Sequence, residues 1–184
     1  REKIAYCNEE NLVSGIIRLT EKTTKIIRFV TGHGEKNIET ADPETGYSRI
    51  MQALETENYT AENLLLMQAG RVPDDTLVLV AAGPQKDYFE KELAVIDDYL
   101  KQGGRVIMCL DPFPLPVIEQ WLQRRYGVQL TRDFIIDAKS KLMGLDNLSP
   151  IVRPDENHPI TQYMSETVVF PYCRSVIPEG GAAA

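Results

Sequence analysis

The sequence predicts an α/β domain built on a mostly parallel sheet, arranged in three layers. Three observations carry this. Short apolar, β-branched runs alternate with segments of helical period. Two of the runs, TLVLVA over 76–81 and RVIMCL over 105–110, are almost continuously apolar, the mark of strands covered on both faces. Gly and Pro stand at the junctions, as a chain of βαβ units requires.

The elements follow in order. Residues 11–20 set Leu12, Val13, Ile16, Ile17 and Leu19 near one helical face, with Asn8 as a cap and Glu9 and Glu10 in the first turn. KIIRFV (25–30) reads as a strand and TGHGE (31–35) as the loop after it. The polar stretch 39–46, with Pro43 and Gly46, is loop. Residues 47–57 read as a helix with Ile50, Met51 and Leu54 inward, and 59–67 as a strand, with helix the alternative. A turn at 71–75 leads into the strand 76–81, which Gly83-Pro84 ends. Helix 87–102 repeats Phe89, Leu93, Ile96 and Leu100 at helical spacing and stops at Gly103-Gly104. Strand 105–110 breaks at Asp111-Pro112-Phe113-Pro114, and helix 117–126 stops at Gly127. Beyond Val128 the pattern weakens, with candidate strands at 134–136 and 167–170. One α/β domain over 1–177 and a flexible tail over 178–184 are expected, with no internal repeat.

The chain has 184 residues, enough to bury a full core, and 43% hydrophobic against 26% charged content is ordinary for a globular protein. A net charge of −7 disfavours nucleic acid and anionic membrane surfaces as partners. The three cysteines, Cys7, Cys109 and Cys173, form neither CxxC nor a zinc pattern. No apolar run reaches the ~18–20 residues that span a bilayer. The chain starts without Met inside sequence that reads as structured, and is expected to be a fragment of a longer protein.

The candidate site residues stand where three strands end. Gly32 and Gly34 allow a sharp turn or a close backbone approach, and His33 and Glu35 are an acid/base pair or two metal ligands by type. One His and one Glu lack a third ligand, so a tight turn with a hydrogen-bonded His is the reading the spacing favours. Gly83-Pro84 and Asp111-Pro112 also follow strands, so the three segments are expected at one sheet edge, where α/β sheets bind ligands. Asp111 suits capping or a turn better than ligand orientation. Cys109 lacks the small neighbours of a nucleophile elbow and reads as buried packing. His158 is expected in a turn before a Pro-started helix, although an approach to His33 is the alternative. Trp121 reads as helix packing. GxGxxG, Walker A, GxSxG and HExxH are all missing, so the chain has no nucleotide-hydrolysing motif. No cofactor and no metal is expected.

The runs IIRFVTGHGE and LVLVAAGPQKDYFEKELAVIDDYLKQGGRVIMCLDP, with HPIT at 158–161, resemble the GldG-type auxiliary family of ABC transporters over most of the chain. That family includes gliding-motility-associated proteins, and related domains occur in intraflagellar-transport proteins. The resemblance implies a fold similar to flavodoxin or to class I glutamine amidotransferases. The amidotransferase cysteine elbow has no match here, which argues against that chemistry. It further implies a domain on the extracytoplasmic, periplasmic face of the inner membrane, held between transmembrane segments of an ABC-2-type system. The partners would be membrane and ATPase subunits, or a polysaccharide, lipid or protein cargo. A non-catalytic binding or assembly domain is thus the leading expectation. The alternatives are a hydrolase-like enzyme using His33, Glu35 and Asp111, and a structural spacer.

Overall fold

The computed structural model describes residues 25–42 and 46–179. The expected helix over 11–20, Cys7, Pro43 and the tail from Gly180 lie outside the described residues. The chain divides into two compact units, one ending at Leu110 and the other beginning at Asp111, where the sequence reading drew one domain.

The first unit is built on four parallel strands: β1 (Lys25–Val30), β2 (Tyr59–Leu64), β3 (Thr76–Ala82) and β4 (Val106–Cys109), in spatial order β2-β1-β3-β4. The expected mostly parallel sheet is therefore present, with its three expected strands side by side. β1 pairs in full register with β2, Lys25 opposite Tyr59 and Val30 opposite Leu64. The chain leaves β1 toward β2 and then returns to β3 on the other side of β1, so the winding direction reverses between β1 and β3. This is the first part of the doubly wound order 2-1-3-4-5.

Alternation along the strands sorts the core onto two faces. Ile27 and Phe29 of β1 and Val80 and Ala82 of β3 form a buried cluster with Ile38. Met51 and Leu54 of helix α1 (Ser48–Thr56) pack against it. Ile50, expected inward, is exposed. On the other face Ile26, Val30, Leu79 and Ala81 are buried, and so are Leu93, Ile96 and Tyr99 of helix α3 (Glu90–Lys101). The Tyr99 hydroxyl donates to the Thr76 carbonyl at 3.1 Å and ties α3 to β3. Residues 59–67 resolve into β2 followed by the single-turn helix α2 (Leu66–Ala69).

Besides Ile50, three expectations need correction in this unit. The run 105–110 is not covered on both faces: among the described residues β4 pairs with β3 alone, and Ile107 is 53% exposed. Cys109, in register with Ala82, is exposed rather than buried packing. Continuous apolar character signals a covered strand only when neighbours exist on both sides. Phe89 precedes α3 instead of lying on its apolar stripe, and is exposed.

The second unit holds helix α4 (Pro116–Tyr126), a 3₁₀ turn (Ser140–Met143) and two antiparallel ribbons. One ribbon pairs β5 (Val128–Leu130) with β8 (Val176–Pro178), and the other pairs β6 (Ile151–Val152) with β7 (Val168–Val169). Pro116 fits the first turn of α4, where its missing N–H is not needed, and Gly127 at φ 62° ends the helix. The candidate strand 134–136 does not form, and the Ile135 N–H bonds the Cys173 carbonyl instead. The helix expected after His158 is also not formed. That segment is a series of turns, in which His158 Nδ1 accepts the Ile160 N–H at 3.2 Å.

Candidate functional site at the sheet's winding reversal

In a doubly wound sheet the loops diverge where the winding direction reverses, and a crevice opens beyond the strand ends. Here that place lies beyond β1 and β3, and the structure brings the 32–35 and 83–84 segments together there. The N–H groups of Gln85 and Lys86 donate to the His33 carbonyl at 2.8 and 3.0 Å, and the Lys36 N–H donates to the Ala82 carbonyl at 2.8 Å. Gly34 sits at φ 83°, and a Cβ there would stand 3.0 Å from the Gln85 Cβ. The glycine therefore serves both a left-handed turn and a close approach of two loops.

The His33 side chain points inward. Its Nδ1 lies 3.2 Å from Glu35 Oε1, and its Nε2 lies 2.9 Å from Glu92 Oε2. Both carboxylate side chains are 1% exposed, and the imidazole 7%. Carboxylates only accept, so both contacts close as hydrogen bonds when each ring nitrogen carries a proton. Glu35 Oε2 also accepts the His33 backbone N–H at 2.8 Å, and the Tyr88 hydroxyl donates to Glu35 Oε1 at 2.9 Å. Burial, and next the Glu35 charge, push the Tyr88 phenol well above its ordinary pKa, so it stays a donor. The His33 and Tyr88 rings stack obliquely, 4.3 Å between centroids.

Glu92 enters this cluster from the first turn of α3. Its Oε2 accepts the Phe89 N–H at 3.0 Å, capping the helix N-terminus from three residues inside it. Its other oxygen, Oε1, is buried without a hydrogen-bond partner among the described residues. One carboxylate thus caps a helix and holds the imidazole of a distant loop.

The candidate residues are therefore differently placed. His33 and Glu35 meet each other and are turned away from solvent. Gly83 and Pro84 are buried, with the Gly83 N–H donating to the Cys109 carbonyl at 2.8 Å. Asp111 falls in the second unit, half-buried. It does not cap α4: that role goes to Glu119, whose Oε1 accepts the Leu115 N–H at 3.3 Å. Tyr88 and Glu92 were not legible as partners of His33. A Glu in the first turn of a helix signals a capping role, but nothing local points across 59 positions to an imidazole.

A second buried charge also escaped the sequence reading. Arg28 of β1 reaches Asp75 at 2.6 Å, Glu62 at 2.9 Å and the Thr76 hydroxyl at 2.5 Å. The Asp75 hydrogen bond, working against burial, raises its already high pKa.

A family model described as an ABC-type uncharacterized transport system matches residues 24–178. The solved structure titled mmIFT52 N-terminal domain superposes with a TM-score of 0.61 at 17% identity, over 83% of this chain and 73% of that one. At that identity the likeness speaks for the fold alone. No curated protein matches the chain.

Proposed function

The chain belongs to the auxiliary family of ABC-type transport systems, and from this premise we propose that it is the system's non-catalytic binding and assembly module. One contrast carries the reading. The acid and base groups at the winding reversal bond one another and are sealed from solvent, with Glu92 Oε1 left buried and unpartnered among the described residues, whereas the second unit turns large apolar side chains outward. Leu142 is 88% exposed, Ile160 80% and Tyr163 89%. So many large apolar side chains turned to solvent in one unit support reading that unit as the protein-contact part of the molecule. A hydrolase would need its base within reach of a substrate, and both ring nitrogens of His33 face buried carboxylates, Glu35 and Glu92.

In this proposal the module stands on the extracytoplasmic side of the membrane, as in GldG-type systems. Its partners are the membrane and ATPase subunits, with a polysaccharide, lipid or protein as cargo. No described helix is long and apolar enough to cross a membrane.

Two experiments test the proposal. Leu142→Asp and Tyr163→Asp in the full transport complex should release the membrane subunits during purification while the melting temperature stays unchanged. Retention of the subunits by both variants would refute the contact face. For the location, a membrane-impermeant maleimide should label the exposed Cys109 in intact cells, and labelling only after lysis would place the module inside.

A further inference from the structure

The two edges of the four-stranded sheet are unlike. β2 carries the exposed polar residues Thr60, Glu62 and Asn63, and Glu62 is paired with Arg28. Polar and charged side chains of this kind keep a strand edge from pairing with another chain. β4 has no such guard. Val106, Ile107, Met108 and Cys109 carry no charge, and Ile107 and Cys109 are exposed on the same face of the strand.

The free backbone groups of β4 follow from its ladder. The Arg105 and Cys109 carbonyls accept the Leu79 and Gly83 N–H groups, so the odd-numbered residues bond inward to β3. Val106, Met108 and Leu110 alternate with them and turn their N–H and C=O groups to the open edge. Among the described residues β4 pairs with β3 alone, and nothing lies on that edge to meet them.

A second copy of this chain fits the edge. Antiparallel pairing about a two-fold axis through Met108 sets Met108 opposite its counterpart and Val106 opposite Leu110 of the second copy. The three outward-facing residues are then the hydrogen-bonded pairs. The same register places Ile107 opposite Cys109 of the second copy and Arg105 opposite Asp111. Arg105 is exposed, Asp111 is half-buried, and neither makes an ion pair among the described residues. A positive charge at one end of the strand and a negative one at the other are what a two-fold edge contact needs, because the axis presents each end to the opposite end. A shift by two residues sets Arg105 opposite Cys109 or Phe113 and loses both charge pairs.

We propose that the chain forms a two-fold dimer through the β4 edge, continuing the sheet of one copy into that of the next, with the register fixed by reciprocal Arg105–Asp111 pairs. The contact is independent of the His33 cluster and of the apolar contact face of the second unit.

Sedimentation equilibrium of the whole chain tests this and should show a monomer–dimer equilibrium. Arg105→Asp and Asp111→Arg each set like charges opposite one another at both ends, and each should weaken the dimer roughly tenfold. Arg105→Asp/Asp111→Arg exchanges the two charges and should return the dissociation constant to within about threefold of its original value. Ile107→Cys, a change at an exposed position, should cross-link to Cys109 of the second copy under mild oxidation on a non-reducing gel. Ile107→Cys/Cys109→Ser should not. A monomer at every concentration up to about 1 mM would overturn the proposal. So would a dimer that the charge exchange leaves as weak as the single variants, or a cross-link that survives loss of Cys109.

Discussion

The two units divide the apolar residues very unevenly. Among the described residues, the buried aliphatic and aromatic side chains belong to the first unit except for Leu115 and Ile118. Most of the large exposed ones, from Phe113 through Met143 and Tyr163 to Ile177, belong to the second. The cause lies in their architecture. Four parallel strands pairing side by side give two faces on which every second residue is removed from water, and helices cover them. Two ribbons of two or three residue pairs offer no such face. The first unit's stability is accordingly expected to rest on its core and its buried charges. The second should be held more by local hydrogen bonds and should tolerate surface change well, as suits a contact module.

The sharpest challenge to this contrast is His33→Ala. It leaves Glu35 and Glu92 buried without the imidazole that bonds both, and the first unit should lose about 3–5 kcal/mol. Urea unfolding followed by far-UV circular dichroism measures it. A loss below about 1 kcal/mol would mean the cluster is hydrated and free to act on a ligand. Next, Ile96→Ala opens a cavity at a fully buried position of α3 and should cost about 2–5 kcal/mol by the same measurement. Gly34→Ala forces a left-handed backbone angle on alanine and presses its Cβ against Gln85, at an expected cost of about 1–3 kcal/mol.

The pH response should separate the units further. In the second unit the Thr131 hydroxyl, followed by the Ser175 hydroxyl and N–H, lowers the Asp133 pKa from 3.8 to about 2. A depressed folded-state pKa means the unfolded chain binds the proton more readily. The stabilisation from Asp133 is therefore complete above pH about 4 and is lost as pH falls through about 2. A carboxyl ¹³C titration should place the Asp133 midpoint near 2, and an unshifted midpoint would show that the Thr131 and Ser175 bonds do not persist in solution. The smallest effect belongs to Leu142→Ser, which should change stability by no more than about 0.5 kcal/mol because the side chain is almost wholly in water already. A larger loss in calorimetry would show that Leu142 packs against something within the chain, and the two units would differ less than proposed.

Much of the scaffold is a local property of the amino-acid order. Strand β1 over Lys25–Val30, the start of β3 at Thr76 and the glycine stops at Gly103 and Gly127 follow from apolar period and from residues that admit positive φ. The meeting of the His33 and Gly83 loops at one sheet edge was legible too, since parallel strands send their carboxyl ends the same way. Three things required the tertiary structure. β4 reads as a covered strand, yet its exposure depends on whether another strand or a helix adjoins it, which its own residues do not encode. The direction of His33 depends on Glu92 and Tyr88, residues brought to it only when α3 packs on the sheet. The buried Arg28 and Arg174 read as ordinary charged positions until Asp75, Glu62 and Glu119 are seen beside them. Periodicity is set over a few residues, where backbone geometry repeats. A buried charge is decided by long-range pairing, because desolvation is offset only by partners that the fold brings from far along the chain.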